Sequence, residues 1–331
     1  MDLVALWAGL VALVMILYVV LDGISLGVGL LFPTALEGSE RDTLMGSIAP
    51  VWDANQTWLV FGGGAIFASF PVVYGVLSSA LYIPLMAFLA GLIFRGVAFE
   101  FRASAKRKAS WDKGFFLGSL LAVFSQGLIL GGILSGVSVK DLHFAGGALD
   151  WLNPFSLMVG VALMPGYALL ASCYLIIKTS GPVQERAYRQ AKKAAWGVIF
   201  FMAVVTVWTP IHYPVVMSNW FSAPRIYFVW IFPVLGLACF WALLGSLKAR
   251  KEVAPLIWAV GIFLSGYLGL ATSFYPYAIP PTVTFREAAS QRETLSFLLW
   301  GALIVLPVVV GYLIYSYAVF KGKVGEELYG H

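Results

Sequence analysis

The sequence predicts an all-α polytopic membrane protein with nine transmembrane helices, and three observations predict it. Hydrophobic residues make up 60% of the 331 residues and charged residues only 11%, with a mean hydropathy of +0.88. That composition excludes an ordinary soluble domain. Apolar windows of about 20 residues, the length a helix needs to cross the hydrocarbon core, recur along the chain. The basic residues also segregate into alternate loops, as a chain that reverses direction at each crossing requires.

The first window covers residues 3–32. Met1-Asp2 offers no basic region ahead of it and the apolar run is long, so it reads as a retained membrane helix and not a cleaved signal. Windows at 51–73, 76–95, 114–137 and 154–177 follow. The sixth, 194–211, is short because Pro210 stops it. Windows at 226–247, 253–274 and 294–320 complete the nine. The longest connectors, 96–113, 138–153 and 275–293, are too short to hold a separate soluble unit, so residues 1–331 read as a single integral membrane domain.

Of the 21 lysines and arginines, all but Lys140, Arg225, Arg286 and Arg292 fall in one alternate set of loops and the C-terminal tail. The positive-inside rule then puts the N-terminus outside and the C-terminus in the cytoplasm. The net charge of +5 belongs to loops lying beside anionic lipid, which argues against a nucleic-acid partner.

Several chemistries are missing. His143 and His212 lie in outside loops and His331 is the last residue, so no imidazole sits at membrane depth for a haem or copper centre. Methionines such as Met158 and Met202, and the two cysteines Cys173 and Cys239, read as packing residues inside apolar runs. No phosphate-binding loop, dinucleotide fingerprint or nucleophile elbow is present. This chain by itself is expected to hold no cofactor and no metal.

The polar residues inside the apolar windows carry the functional expectation. Asp22 has no lysine or arginine within fifteen residues on either side. With the topology above it lies in the cytoplasmic half of the first helix. Asp53 opens the second helix from the same side, with Gln56 one turn deeper, and the third helix returns there with Arg95 and Glu100. Asp22, Asp53, Arg95 and Glu100 are therefore expected to meet in the inner leaflet. An unpaired charge near the bilayer centre costs about 2.5–3.5 kcal/mol on insertion scales, so Asp22 needs a partner, and Arg95 is the best candidate. Two readings follow: a structural ion pair locking helices one and three, or a proton relay of carboxylates. Four ionisable groups exceed what one structural pair requires and favour the relay.

Gly62, Gly63 and Gly64 read as a small-residue surface for close helix packing. Trp7, Trp151, Trp220 and Trp300 read as interfacial belt anchors. Trp58, beside Gln56 and inside the second helix, reads as packing or gating.

The stretches YVVLDGISLGVG, IAPVWDANQTWLVFGGGAIFASFPVVY, LIFRGVAFEFR and LDWLNPF resemble the signature segments of subunit II of cytochrome bd-type quinol oxidases, in particular its short, cyanide-insensitive branch. The resemblance runs nearly end to end. It implies two four-helix bundles plus one additional helix, in a multi-pass protein of the bacterial cytoplasmic membrane. It also implies a haem-bearing subunit I as partner, carrying two b haems and haem d or a b-type equivalent. Quinol and dioxygen are the substrates of such a complex. The resemblance leaves room for a bound structural quinone and a small single-helix accessory subunit.

By the same resemblance, Asp53 takes the place of an acid at the cytoplasmic entrance of a proton path, and Arg95 and Glu100 take basic and acidic positions at the end of the third helix. Trp58 corresponds to a tryptophan at the mouth of a lateral oxygen channel. Asp22 matches the first acid of an Asp-Gly-aromatic-Asp pattern whose fourth position is Ser25 here. A proton-coupled secondary transporter is the rival reading. It would need inverted repeats with polar sites in both halves, whereas the polar residues here cluster in the first three windows. A purely structural assembly subunit is the third.

Overall fold

The computed structural model describes residues 2–36, 38–222 and 225–324. Helix α1 (Leu3–Leu31) is followed by a short helix α2 (Gly38–Ile48), then α3 (Trp52–Ser69), α4 (Pro71–Ala80), α5 (Tyr82–Ser104) and α6 (Lys108–Leu134). A two-residue hairpin, β1 (Val139–Lys140) with β2 (His143–Phe144), leads to α7 (Pro154–Lys178) and α8 (Gly181–His212). After them come α9 (Pro214–Phe221), α10 (Arg225–Val229), α11 (Ile231–Lys248) and α12 (Ala254–Phe274). A second hairpin, β3 (Tyr277–Ile279) with β4 (Val283–Thr284), joins α13 (Phe285–Ala288) to the last helix, α14 (Arg292–Val319). Among the described residues, eight helices are long and apolar enough to cross a membrane, and nine if the bent pair α3–α4 counts as one span.

The helix pairings form two groups. In the first, α1 packs on α3 and α6, and α6 packs on α5, with Trp52 of α3 against Phe99 of α5 closing the ring. In the second, α7, α8, α11 and α12 close on one another. The groups join where α1 and α6 meet α7, and α14 lies outside them on α3 and α1. This is the arrangement of two four-helix bundles plus one helix that the family resemblance implies.

Several boundaries differ from the sequence expectation, each for a local reason. The second and third windows do not break near residue 75. Pro71 has no N–H to donate into a continuing helix, so α3 stops at Ser69 and α4 turns away by 117° before α5 begins. Helix α5 then extends nine residues past the predicted end at 95, through a segment that buries Arg102. The sixth helix is not short. Helix α8 is 32 residues long because its first turns are polar and outside the apolar window, and Pro210 sits within its last turn without ending it. Helix α2 has too little apolar content to register as a span.

Close backbone contacts hold the centre together. A Cβ on Gly27 would stand 2.0 Å from the Tyr167 carbonyl oxygen, one on Gly91 2.6 Å from the Ala122 nitrogen, and one on Gly118 2.6 Å from the Arg95 nitrogen. Of the expected glycine surface only Gly62 faces a neighbour, Met15 of α1, while Gly63 and Gly64 point into open space. Two of the expected belt tryptophans are buried inside the protein: Trp7 donates to the Leu295 carbonyl at 3.0 Å and Trp220 to Ser273 Oγ at 2.7 Å. At the N-terminus Asp2 caps α1, and the Ala5 N–H is the main group holding its carboxyl below the usual range, followed by Arg286 at 2.9 Å. A carboxylate lowered in this way contributes stability above its ordinary titration range, and the contribution fades as the pH falls through the lowered value.

The glycine contacts generate a test. Gly27→Val should destabilise the protein by about 3 kcal/mol, the upper range of overpacking costs, because no side chain fits against the α7 backbone. Gly64→Ala should change stability by less than about 0.5 kcal/mol. Thermal unfolding in detergent separates the two.

Candidate functional site

The polar residues of α1 meet those of three other helices. Asp22 is fully buried and Arg95 is 1% exposed. They form an ion pair with Arg95 Nη1 3.3 Å from Asp22 Oδ1. Ser25, one turn along α1 on the same face, accepts from Asn55 Nδ2 at 3.3 Å, and Asn55 Nδ2 also reaches the Leu21 carbonyl at 3.0 Å. The hydroxyl of Tyr317 on α14 donates to Asn55 Oδ1 at 3.3 Å. A chain of polar contacts therefore runs from half-buried Tyr317 through Asn55 and Ser25 to the helix turn that carries Asp22.

The pair itself is under-bonded. Asp22 Oδ2 and the Nε and Nη2 of Arg95 are enclosed with no hydrogen-bond partner from the protein. The hydroxyl of Tyr18 faces Asp22 from the preceding turn without closing a well-formed hydrogen bond. The hydroxyl of Tyr167 lies near Gln126, and Ser119 Oγ is likewise enclosed. An orphaned buried polar group costs about 1–3 kcal/mol, so such a cluster demands either water or a function that uses it.

The other predicted residues are placed differently. Asp53 and Glu100 are exposed on the outer surface of α3 and α5 and do not join Asp22 and Arg95. The four-charge meeting expected from the sequence is thus a two-charge pair, because residues five positions apart on α5 point to different sides. Gln56 is half-buried with Nε2 enclosed. Trp58 is 1% exposed and lines an apolar cavity of about 260 Å³ between α3 and α14, with Val308, Val309 and Leu313 opposite. Its Nε1 has no partner.

A second charged network was missed in the sequence. Arg102, 1% exposed, donates through Nε to Asp112 at 2.5 Å and through Nη1 to Asp42 at 2.6 Å. Arg41 also reaches Asp112, at 2.8 Å, and Lys108 reaches Asp42, at 3.2 Å. The network ties α2 to α5 and α6. Arg102 is seven residues beyond Arg95, two turns on the same face, and that spacing was the available signal. Each arginine lies near an aromatic ring, Arg95 5.9 Å from the centre of Phe115 and Arg102 5.5 Å from that of Phe32. The two rings meet edge to face at 5.2 Å.

Neither described histidine approaches this region. His143 is exposed in the first hairpin and His212, exposed at the end of α8, stacks on Trp208. Among the described residues no three His, Cys, Asp or Glu side chains converge as a metal site would need.

Comparison with known proteins places the chain. The family model described as cytochrome bd terminal oxidase subunit II matches residues 3–320. The chain belongs to that family. It is therefore a subunit of a bd-type terminal oxidase, an oxidoreductase complex of the respiratory chain. Among curated relatives, cytochrome bd ubiquinol oxidase subunit 2 of Bacillus subtilis is 32% identical over 97% of each chain. Cytochrome bd-I ubiquinol oxidase subunit 2 of Escherichia coli K12 is 29% identical over 97% of this chain and 95% of its own. A chain in the structure of bd oxidase from Geobacillus thermodenitrificans superposes with a TM-score of 0.82 at 17% identity, covering 97% of this chain and 99% of that one. Membership of the family also implies haems in the complex and a partner subunit.

The ion pair generates the second test. Asp22→Asn leaves Arg95 buried without a counter-ion and should cost about 3–5 kcal/mol, whereas Asp22→Leu combined with Arg95→Met should recover most of that loss. Yield of folded protein and thermal unfolding in detergent measure both.

Proposed function

We propose that this chain is the haem-free half of a quinol oxidase heterodimer and that it contributes a proton path from the cytoplasmic side toward the haem-bearing subunit I. The observation that carries the reading is the buried Asp22, one helix turn from Ser25, which is linked through Asn55 to Tyr317 on the outer helix. Hydroxyl and amide groups at hydrogen-bond distance can order water, and a carboxyl among them can hold a proton. Arg95 keeps Asp22 in place. Asp53, two residues before Asn55 at the exposed start of α3, is the entry acid, with Gln56 beside it and Glu100 as a second surface acid. The segregation of basic residues into alternate loops supports reading this end of the bundle as the cytoplasmic one, in a bacterial inner membrane.

The haems, two of b type and haem d or its b-type equivalent, then reside in subunit I, where quinol is oxidised and dioxygen reduced to water. The lack of a buried imidazole among the described residues supports that division of labour. The apolar cavity beside Trp58 is a lateral route for dioxygen, which needs no polar partner. A structural quinone and a small accessory helix are compatible with the exposed apolar surfaces. Tyr167 of α7 borders the polar cluster, but among the described residues of α7, α8, α11 and α12 no charged side chain is buried, which weighs against a transporter built from inverted repeats.

Asn55→Leu and Tyr317→Phe interrupt the polar chain while sparing the ion pair. Both are expected to assemble with full haem content yet turn over quinol at least tenfold more slowly, with proton uptake reduced in step; unchanged turnover in both would reject the path. Asp53→Asn should slow turnover without loss of haem, since it removes only the titrating proton. Trp58→Ala should alter the oxygen dependence of turnover, and Trp58→Phe should do so less; identical apparent oxygen affinity in all three proteins would return Trp58 to packing.

A further inference from the structure

We infer that a second cavity, of about 470 Å³ and lined by neither residue of the ion pair, is a binding site for an anionic phospholipid. It lies between the end of α1, the middle of α7 and the first half of α8. Its rim carries Arg186, Arg189 and Lys193, and its floor is formed by Leu31, Pro165 and Ala168. The three basic residues follow one another at intervals of three and four along α8 and so share a face spread over about 10 Å.

The order of polarity in the cavity matches that of a lipid. Arg186 stands nearest the polar start of α8, Lys193 closes the basic stretch, and from Ala194 onward the helix is apolar. Below Lys193 the surface continues with Trp196 and Phe200, 50% and 60% exposed on successive turns. A phosphate among the basic groups would leave its acyl chains lying on these rings and on α7. The boundary coincides with the end of the α1 span at Leu31, which is where headgroups meet hydrocarbon.

The charge balance also points to an anion. Arg186 is neutralised by Glu40 of α2, through a two-pronged pair at 2.6 and 2.9 Å. That pair holds the guanidinium at the rim. Gln190 donates to Thr34 Oγ1 at 2.7 Å and closes the wall between α8 and α1. Among the described residues, Arg189 and Lys193 are exposed and have no ion pair or hydrogen bond within the chain. Two uncompensated cations over an apolar floor suit the phosphate of a phospholipid, where a free inorganic anion would leave the floor unused. The site is separate from the polar chain of the proposed proton path and does not depend on it.

The test uses the complete oxidase complex in nanodiscs of phosphatidylglycerol mixed with phosphatidylcholine, followed by native mass spectrometry of the released complex. The parental complex should retain phosphatidylglycerol in preference to phosphatidylcholine, and millimolar inorganic phosphate should not displace it. Arg189→Gln combined with Lys193→Gln should weaken that retention roughly thirty-fold, two interfacial charges acting together. The charge-preserving pair Arg189→Lys and Lys193→Arg should keep it, which separates lost charge from lost folding. Equal retention by parental and glutamine variants would overturn the assignment, and so would displacement by phosphate, which would mark a plain anion site.

Discussion

A hydrocarbon interior cannot solvate an ion, and the arrangement of this bundle follows from where it buries Asp22 and Arg95. The two residues sit on different helices, so pairing them requires α1, α5 and α6 to approach closely. The glycines permit it. Gly118 faces the backbone at Arg95 and Gly29 faces Ser119, so that a side chain on either would collide with the neighbouring helix. Gly23 and Gly27 do the same between α1 and α7 at Tyr167. In lipid, where apolar burial gives little net drive between helices, such close packing and a few polar contacts supply most of the association. The ion pair and the glycine contacts therefore share one close approach of the helices.

The two buried arginines of α5 illustrate different uses of the same side chain. Arg102 spends its donors on two carboxylates at short range and fastens α2 and α6 to α5. Arg95 makes a single longer contact and leaves Nε and Nη2 without protein partners, beside a carboxylate oxygen in the same condition. A structural staple is normally satisfied. A group that must exchange a proton is served better by a partner that holds it without saturating it. That contrast is what the proposed proton-carrying role of the Asp22 cluster rests on, beside the structural Arg102 network.

Much of this was legible in the chain. The number of apolar windows and the pairing of Asp22 with Arg95 follow from hydropathy, loop charge and the cost of an unpaired buried ion. What escaped the sequence was mainly rotational. Asp53 and Glu100 have the right depth for the cluster but the wrong side of their helices, and hydropathy windows carry depth without azimuth. Asn55, the residue that does face Ser25, is uncharged and drew no notice beside Asp53. Arg102 and Asp112 fell in the connector read at 96–113, although α5 and α6 continue through it, and Asp42 lies on α2, outside every apolar window. Gly63 and Gly64 belong to the run that suggested close packing, yet only Gly62 has a neighbour to approach. Family resemblance supplied the activity and the partner, neither of which any local spacing in this chain encodes.

The central claim is that Asp22 changes its protonation during turnover. Infrared difference spectroscopy of the assembled oxidase, with aspartate isotopically labelled and Asp22→Glu as the assignment control, reads this directly. A carboxyl band that moves with the redox state of the complex, shifts on labelling and changes position in Asp22→Glu is the predicted result. A spectrum in which no such band belongs to Asp22, with the carboxylate ionised throughout the cycle, would make the pair a structural staple and contradict the account.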